Sequence, residues 1–170
     1  MRTVTIFTRR AVLAGAAAFA LAGCSTKFKR YNGPEVTRVV VNKGERKMYL
    51  LHHDKVLRAY RVDLGFAPDG HKQFEGDGRT PEGRYFIDRR NPRSNFHLSL
   101  GISYPNDRDR AFAEAQGKPP GGDIFIHGGP RRGKDRGGPD WTAGCISINN
   151  KQMEKVYSMV REGTPIDIHP

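Results

Sequence analysis

From residue 36 onward the sequence consists of short extended runs bounded by turns, and this pattern limits the fold more than any other feature. The run 36–42 is rich in valine, and 48–53 and 56–64 are separated by Asp54-Lys55 as in a hairpin. Residues 96–103 alternate between apolar and polar side chains, the period of a strand with one face in the core. Further strands are predicted over 83–88, 123–127, 145–148 and 164–168.

Two segments have helical character instead. Residues 107–116 are charged and rich in alanine. Residues 151–161 place apolar side chains at the i, i+3, i+4 and i+7 positions of one helix face. Asn149 or Asn150 is expected to cap the start of this helix, and Gly163 its end. The prediction is a mainly β domain over 36–170, a sandwich or small barrel with one or two packed α-helices.

The N-terminal segment has the composition of an export signal. Residues 1–10 carry three arginines and no acidic residue, and 11–22 are uninterruptedly apolar or small. A helix of that length rises about 18 Å, well short of the roughly 30 Å bilayer core. Leu21-Ala22-Gly23-Cys24 resembles a bacterial lipobox, and Thr8 to Leu13 resembles a twin-arginine signal.

These features predict a lipoprotein signal peptide over 1–23 and a lipidated tether over 24–35, which begins at Cys24. The tether is expected to hold the domain off a membrane surface. The expected location is the periplasm of a Gram-negative bacterium, with the lipid anchor at Cys24 in the inner or outer membrane.

The net charge of the chain limits the classes of partner that it is expected to bind. The formal net charge is +11, of which the signal segment contributes three, leaving +8 on the mature chain. A basic exported protein favours anionic surfaces such as peptidoglycan with its stem carboxylates or anionic lipid. Export argues against nucleic acid as a partner. The positive charges are scattered, so most of them belong to a solvated surface.

The cysteine count raises the question of reactivity. The chain has two cysteines, Cys24 and Cys145. If Cys24 carries lipid, Cys145 has no partner within the chain, although exported compartments favour disulfides. An unpaired thiol there is either buried and inert or retained for its reactivity. The count alone leaves both interpretations open.

The residues around Cys145 favour the reactive interpretation. His127 follows an apolar run, Ile124 to Ile126, and stands at the start of a glycine-rich loop. Gly144, directly before Cys145, permits an unusual backbone conformation or close approach of a substrate, and nearby backbone N–H groups would form an oxyanion hole. An imidazole within reach of the thiol would take its proton. A purely structural role for both side chains stays open, since sequence spacing does not establish contact.

These residues resemble a known family. His127-Gly128, a spacer and Thr142-Ala143-Gly144-Cys145 resemble the pattern of the YkuD-type L,D-transpeptidases of bacterial cell walls. Residues 78–85 are similar to the Thr-Pro-x-Gly segment of that family, and 96–106 are similar to its branch of YafK- and ErfK-like proteins. The likeness spans roughly Val36 to Ile168.

The resemblance implies a cysteine acyltransferase that needs no cofactor and no metal. Cys145 would be the nucleophile, His127 the proton donor and acceptor, and Gly144 a backbone donor of the oxyanion hole. The implied substrates are peptidoglycan stem peptides, and the acyl acceptor would be a second stem or the lysine of a wall-attached lipoprotein. If water resolves the thioester, the enzyme is a hydrolase; a non-catalytic wall-binding lipoprotein is the other alternative.

The chain departs from the family pattern at two positions. Ala143 stands where many members have histidine, and Ser147 where many have an arginine that recognises a substrate carboxylate. Four arginines are candidate replacements for the latter: Arg79, Arg131, Arg132 and Arg136. The predicted substrate-binding residues are His97, Ser99, Tyr104, Arg79, Gly128, Trp141 and Thr142. A zinc site is disfavoured, because the motif has no second mature cysteine nearby.

Overall fold

A computed structural model describes residues 26–135 and 137–170, so the predicted signal peptide, Cys24 and Arg136 lie outside the described residues. Within the described part, no helix is long and apolar enough to cross a membrane. The strands are β1 (Arg38–Asn42), β2 (Lys47–His52), β3 (Lys55–Arg61), β4 (Gly83–Asn91), β5 (Ser99–Ile102), β6 (Phe125–His127), β7 (Ile146–Ser147) and β8 (Pro165–His169), and the helices are α1 (Asp107–Ala115) and α2 (Asn150–Met159).

The strands form one curled sheet of eight strands, in the order β3-β2-β1-β8-β4-β5-β6-β7. The long strand β4 joins two halves of this sheet, since its start pairs with β8 and its end with β5. The two edges of the sheet also meet, because Asp63, just after β3, exchanges backbone hydrogen bonds of 2.9 and 2.8 Å with Ser147 on β7. The result is a half-barrel with two helices, which confirms the predicted fold class.

The core fills the inside of the curl. Val39, Val41, Met48 and Leu50, on the hairpin of β1 and β2, are fully buried. Helix α2 contributes the apolar stripe predicted from its spacing, with Met153, Val156, Tyr157 and Met159 buried.

The start of α2 lies where the sequence predicts it, but its end does not. Asn149 caps the helix, because its side chain accepts from the Gln152 amide while the Gln152 side chain accepts from the Asn149 amide. The predicted end at Gly163 is wrong. The helix stops at Met159, and Val160 is already extended with its N–H bonded to Val156.

Strand β5 is shorter than the alternation over 96–103 predicted. His97 has a φ of 73°, which no strand residue adopts, so the strand begins only at Ser99. All four residues of β5 are buried, because β4 and β6 flank it and both of its faces are covered. The prediction that Phe96 belongs to the core face of a strand is therefore wrong.

The segment from Thr26 to Pro34, which we name the strap, does not behave as the free spacer that was expected. Lys27 Nζ donates to the carbonyls of Pro92 and His97 at 2.7 and 2.9 Å. Further along, Tyr31 packs against the hydrophobic core. The strap is therefore docked on the domain from its first described residues onward.

Candidate active site

A cavity of about 260 Å³ contains both predicted catalytic side chains, Cys145 and His127. Register explains why they meet: β6 and β7 run parallel, with Ile126 level with Ile146 and His127 level with Ser147. Cys145 directly precedes β7, so it enters the cavity beside the strand that ends in His127. The remaining walls are Ser99, Asp123, Phe125, Asn91 at the end of β4, and the loop between β4 and β5, which contributes Ser94, Asn95 and Phe96.

The turn that presents the thiol is held together by one hydroxyl. Thr142 Oγ1 donates to the Cys145 carbonyl at 2.7 Å and accepts from the Gly144 amide at 3.1 Å. The backbone of Thr142 is bonded in turn to Leu64 and Phe66, at the closure of the half-barrel. Thr142 is buried and its hydroxyl holds the turn from beneath; its predicted contact with substrate stays a prediction.

Gly144 is required by the backbone. Its φ is +132°, and a Cβ at this position would lie 2.6 Å from the carbonyl oxygen of Arg79. Its N–H donates to the Thr142 hydroxyl at 3.1 Å, and the predicted role of this amide in an oxyanion hole stays a prediction. The neighbouring amide of Cys145 meets no protein acceptor within residues 26–135 and 137–170, which leaves it available for that role.

The imidazole of His127 is fixed in one tautomer. Nδ1 lies 2.6 Å from the Gly128 carbonyl, and because a carbonyl only accepts, Nδ1 carries the proton. Nε2 is therefore the basic nitrogen. Burial lowers the pKa of His127 below its ordinary value, despite the opposing effects of the Gly128 hydrogen bond and Asp135. The ring is neutral at neutral pH and competent to accept a proton.

Two further groups support this arrangement. Ser147, the family's arginine position, is buried, and its hydroxyl donates to the same Gly128 carbonyl at 3.2 Å. Gly128 itself permits this packing, because a Cβ there would lie 2.5 Å from both the Phe96 carbonyl oxygen and Asn150 Oδ1. The carbonyl of Gly128 thus orients His127, whereas the predicted role of Gly128 in substrate binding finds no support.

Aromatic rings enclose the imidazole. Phe96 stacks on His127 with centroids 4.4 Å apart, and Trp141 contacts the imidazole edge-on at 5.6 Å. The guanidinium of Arg131 lies 4.8 Å from the centroid of the Phe96 ring and pairs with Asp135. Trp141 contacts His127 but is not part of the cavity wall, and its predicted contact with substrate stays a prediction.

The thiol of Cys145 rests in its protonated form. Sγ donates to the Asp123 carbonyl at 3.5 Å, and no hydrogen bond joins it to His127 among the described contacts. Burial raises the pKa of the Cys145 thiol above its ordinary value, with the charge of Asp123 acting in the same direction. A neutral thiol beside a neutral imidazole is suited to general-base activation, in which the proton moves as the sulfur attacks.

Of the other predicted substrate-binding residues, one lines the cavity and the rest lie elsewhere. Ser99 lies in the cavity opposite His127. The ring of His97 instead bonds Glu154 on α2 at 3.0 Å, because its positive φ turns it out of the strand. The guanidinium of Arg79 lies beside Gly70. Neither lines the cavity, and their predicted contacts with substrate stay predictions.

Tyr104 is buried elsewhere. Its hydroxyl donates to the Pro120 carbonyl at 3.0 Å, and its ring meets Tyr85 and His71 edge-on. It does not line the cavity at Cys145, and its predicted contact with substrate stays a prediction. A cavity of about 640 Å³ lies nearby, beside α1 and the end of β8. It is larger than the one at Cys145, but it contains neither the thiol nor His127, so we assign the chemistry to the smaller cavity.

The described residues contain no group of three or more His, Cys, Asp or Glu side chains arranged to hold a metal ion. Besides the thiol and the imidazole, the cavity wall includes Asp123, whose carboxylate pairs with Arg89 at 3.0 Å. A thiol and an imidazole are the groups of nucleophilic catalysis.

Comparison with known proteins agrees with this geometry. Residues 36–168 match the YkuD family model, the L,D-transpeptidase catalytic domain. The chain belongs to the YkuD family. That match includes both helices, every residue of the cavity described above and all of the strands except His169, the last residue of β8.

Individual relatives place this YkuD domain among longer proteins. YafK of Escherichia coli (strain K12), which carries a provisional assignment as an L,D-transpeptidase, is 27% identical over 108 residues, or 62% of this chain and 38% of YafK. The crystal structure of Pgp2 from Campylobacter jejuni, named a helical cell shape determining protein, is 28% identical with a TM-score of 0.62, over 81% of this chain and 49% of Pgp2. The chain therefore spans half or less of these relatives.

A more distant structure shares the fold. An L,D-transpeptidase from Mycobacterium smegmatis matches 79% of this chain and 59% of its own, at 15% identity and a TM-score of 0.53. Similarity at that level supports the YkuD fold alone.

Three residues of the YkuD site were not recognised from the sequence. Phe96 was assigned to the core because it alternates with Leu98 and Leu100. Ser147 was noted only as the absence of an arginine, and Asp123 only as the start of a strand. The sequence carries no signal for Asp123, since only its backbone carbonyl meets the thiol. The motif position of Ser147, two residues after the cysteine, was the available signal for that residue.

Proposed function

We propose that this chain is an exported L,D-transpeptidase that acts on peptidoglycan stem peptides, with Cys145 as nucleophile and His127 as base. The observation that carries the proposal is the shared cavity, in which the thiol and a neutral imidazole with a free Nε2 face the same space. Membership of the YkuD family supports the same reaction class.

The first half-reaction forms a thioester. The Cys145 side chain turns from the Asp123 carbonyl toward Nε2 of His127, which takes the thiol proton as sulfur attacks the carbonyl of the third stem residue. The Cys145 amide donates to the developing oxyanion. The tetrahedral intermediate collapses by breaking the bond to the D-alanine nitrogen, and His127 returns the proton to that amine as it leaves.

The second half-reaction transfers the acyl group. An amine attacks the thioester, His127 takes a proton from it, and the sulfur leaves and is reprotonated. The acceptor is the side-chain amine of a second stem, giving a 3→3 cross-link, or the lysine of a wall-attached lipoprotein. A role in cell shape, the property for which Pgp2 is named, would follow from such cross-links.

Recognition of the substrate carboxylate falls to Arg131 in this proposal. Ser147 offers no cation at the family's arginine position. Of the candidate arginines, Arg131 lies against Phe96, a wall of the cavity, and its side chain is 40% exposed. A stem carboxylate would compete with Asp135 for this guanidinium.

The proposed setting is the periplasm, with a diacyl lipid on Cys24 after removal of residues 1–23. The lipobox-like sequence and the charged and apolar regions before it support this location.

Product analysis tests the reaction. The purified protein is incubated with disaccharide tetrapeptides, and the products are separated and identified by mass spectrometry. We expect 3→3 dimers and free D-alanine from the wild type, and neither from Cys145→Ala. Tripeptides without dimers would identify a hydrolase. Equal binding of wall fragments by both proteins, with no turnover, would identify a wall-binding lipoprotein.

A further inference from the structure

A second groove, between the strap, β3 and α2, is strongly basic. It encloses about 450 Å³ and is lined by five cationic side chains, one carboxylate, Tyr31 and Met159. The carboxylate, Glu154, is already held by His97 at 3.0 Å and by Lys29 at 3.4 Å. The cationic residues are Lys29, Arg30, Arg58, Lys151 and Lys155.

The groove is basic on an exposed face with an aromatic residue at its border. Lys151 and Lys155 lie one turn apart on α2 and both are exposed, as are Arg30 and Arg58 on the neighbouring elements. Phe28, on the strap, is 53% exposed and lies under the Lys27 ammonium. Positive side chains beside an exposed aromatic ring are the composition of surfaces that meet the headgroup region of a bilayer.

The course of the chain places this face at the membrane. The strap begins at Thr26, two residues after the proposed lipidation site Cys24. Lys27, the first residue held by the domain, lies three residues after Cys24, and three residues of extended chain span at most about 11 Å. Because Lys27 is fixed to the Pro92 and His97 carbonyls, a lipid on Cys24 would lie within that short reach of the docked strap.

We propose that the strap and this basic groove form a docking surface for an anionic phospholipid bilayer. Arg30, Arg58, Lys151 and Lys155 face the lipid phosphates, and Phe28 enters the headgroup boundary. The inference rests on the proposed anchor at Cys24.

Docking in this orientation has a consequence for the substrate. Lys27 joins the strap to both ends of the segment 92–97, which contributes Ser94, Asn95 and Phe96 to the active-site cavity. The mouth of the cavity therefore lies beside the bilayer, and the enzyme acts on the stems and acceptor amines closest to the membrane.

Lysine footprinting on the mature lipoprotein tests the orientation. The protein is purified from membranes and reconstituted into vesicles of phosphatidylcholine alone or of phosphatidylcholine with phosphatidylglycerol. It is then labelled with a membrane-impermeant amine reagent and analysed by mass spectrometry. We expect Lys151 and Lys155 to be labelled several-fold more slowly in the anionic vesicles, and high salt to remove the difference. Lys118 and Lys134, exposed elsewhere, serve as internal controls.

A paired variant separates docking from catalysis. Lys151→Gln with Lys155→Gln keeps helix-forming residues but removes two charges. Lys29 lies in the same groove, so we expect its labelling also to be slower in the anionic vesicles for the wild type. In the paired variant this difference at Lys29 should disappear, while thioester formation in detergent stays at the wild-type rate. Equal labelling in both kinds of vesicle, or protection by peptidoglycan fragments instead of lipid, would overturn the inference. Loss of thioester formation in the wild type would overturn the proposed function, and an unmodified Cys24 in the purified protein would overturn the anchor.

Discussion

We expect the hydroxyl of Thr142 to stabilise the folded protein and to fix the position of the Cys145 thiol. It donates to the Cys145 carbonyl at 2.7 Å and accepts from the buried Gly144 amide at 3.1 Å. Thr142→Val keeps the β-branched shape but removes both hydrogen bonds. Thr142→Ser keeps the hydroxyl and removes only a methyl group.

The expected cost follows from the groups left behind. A buried polar group that loses its partner costs about 1–3 kcal/mol. Thr142→Val leaves two such groups without a partner, the Cys145 carbonyl and the Gly144 amide. Because Cys145 is partly solvated, the free energy of unfolding should fall by about 2–4 kcal/mol. Thr142→Ser should cost about 1 kcal/mol, the value of one buried methyl group. Because the turn also sets the position of the sulfur, a shift of about 1 Å should slow thiol acylation by about 100-fold.

Two assays check this prediction. Urea unfolding, followed by the fluorescence of Trp141, the single tryptophan, gives the free energy of unfolding. The rate of Cys145 acylation by a carbapenem gives the chemical consequence. If Thr142→Val were as stable and as reactive as the wild type, or if Thr142→Ser were equally impaired, the turn would not depend on the hydroxyl.

Four other predictions follow from the structure. Gly144→Ala should cost about 2–5 kcal/mol in unfolding free energy by urea titration, because it combines a positive φ with overlap on a backbone carbonyl. Burial raises the pKa of Cys145, so the pH profile of iodoacetamide alkylation should have its midpoint above the ordinary value of 9.0, because thiolate forms only at higher pH. Lys27→Met should speed hydrogen exchange over 92–97 and raise KM for the donor stem, since it frees both ends of a cavity wall. Arg131→Gln should raise KM for donors that carry a free carboxylate, measured against the same donor as an amide.

Each of these has a matched control or a contrary outcome. Gly117 has a φ of +65°, but a Cβ there would meet nothing within 4 Å. Gly117→Ala should therefore lower the free energy of unfolding less than Gly144→Ala does. Equal losses would show that overlap with the Arg79 carbonyl does not contribute. An alkylation midpoint near pH 5 would indicate a preformed thiolate–imidazolium pair. Lys118→Met should leave 92–97 unchanged, and Lys27→Arg should restore most of the protection. If Arg131→Gln affected amide and carboxylate donors alike, the guanidinium would not bind the carboxylate.

The sequence predicted the elements whose pattern is local. Strand periodicity, the apolar stripe of α2 and the asparagine cap are set by neighbouring residues, and all three are found. His127 and Cys145 were selected because their motif carries its own chemistry. The closure of the half-barrel, by contrast, depends on pairing between Asp63 and Ser147, residues too far apart in sequence for any local pattern to link them.

The residues that line the cavity were predicted less well for a physical reason. Period-two alternation assigned Phe96 to the core and His97 to the cleft, but His97 has a positive φ and Phe96 lines the cavity. Alternation assigns side chains to faces only where the backbone is extended. Thr142 and Gly144 lie within the motif, yet their polar groups bond one another, which no linear pattern reveals.

Intact-protein mass spectrometry shows whether Cys145 carries the acyl group. The protein is mixed with a donor tetrapeptide in the absence of an acceptor amine and quenched in acid. We expect an adduct equal to the donor less D-alanine, located on Cys145, absent from Cys145→Ala and formed far more slowly by His127→Gln. An adduct that persists in Cys145→Ala, or turnover by a wild type that never forms one, would contradict the proposed role of Cys145.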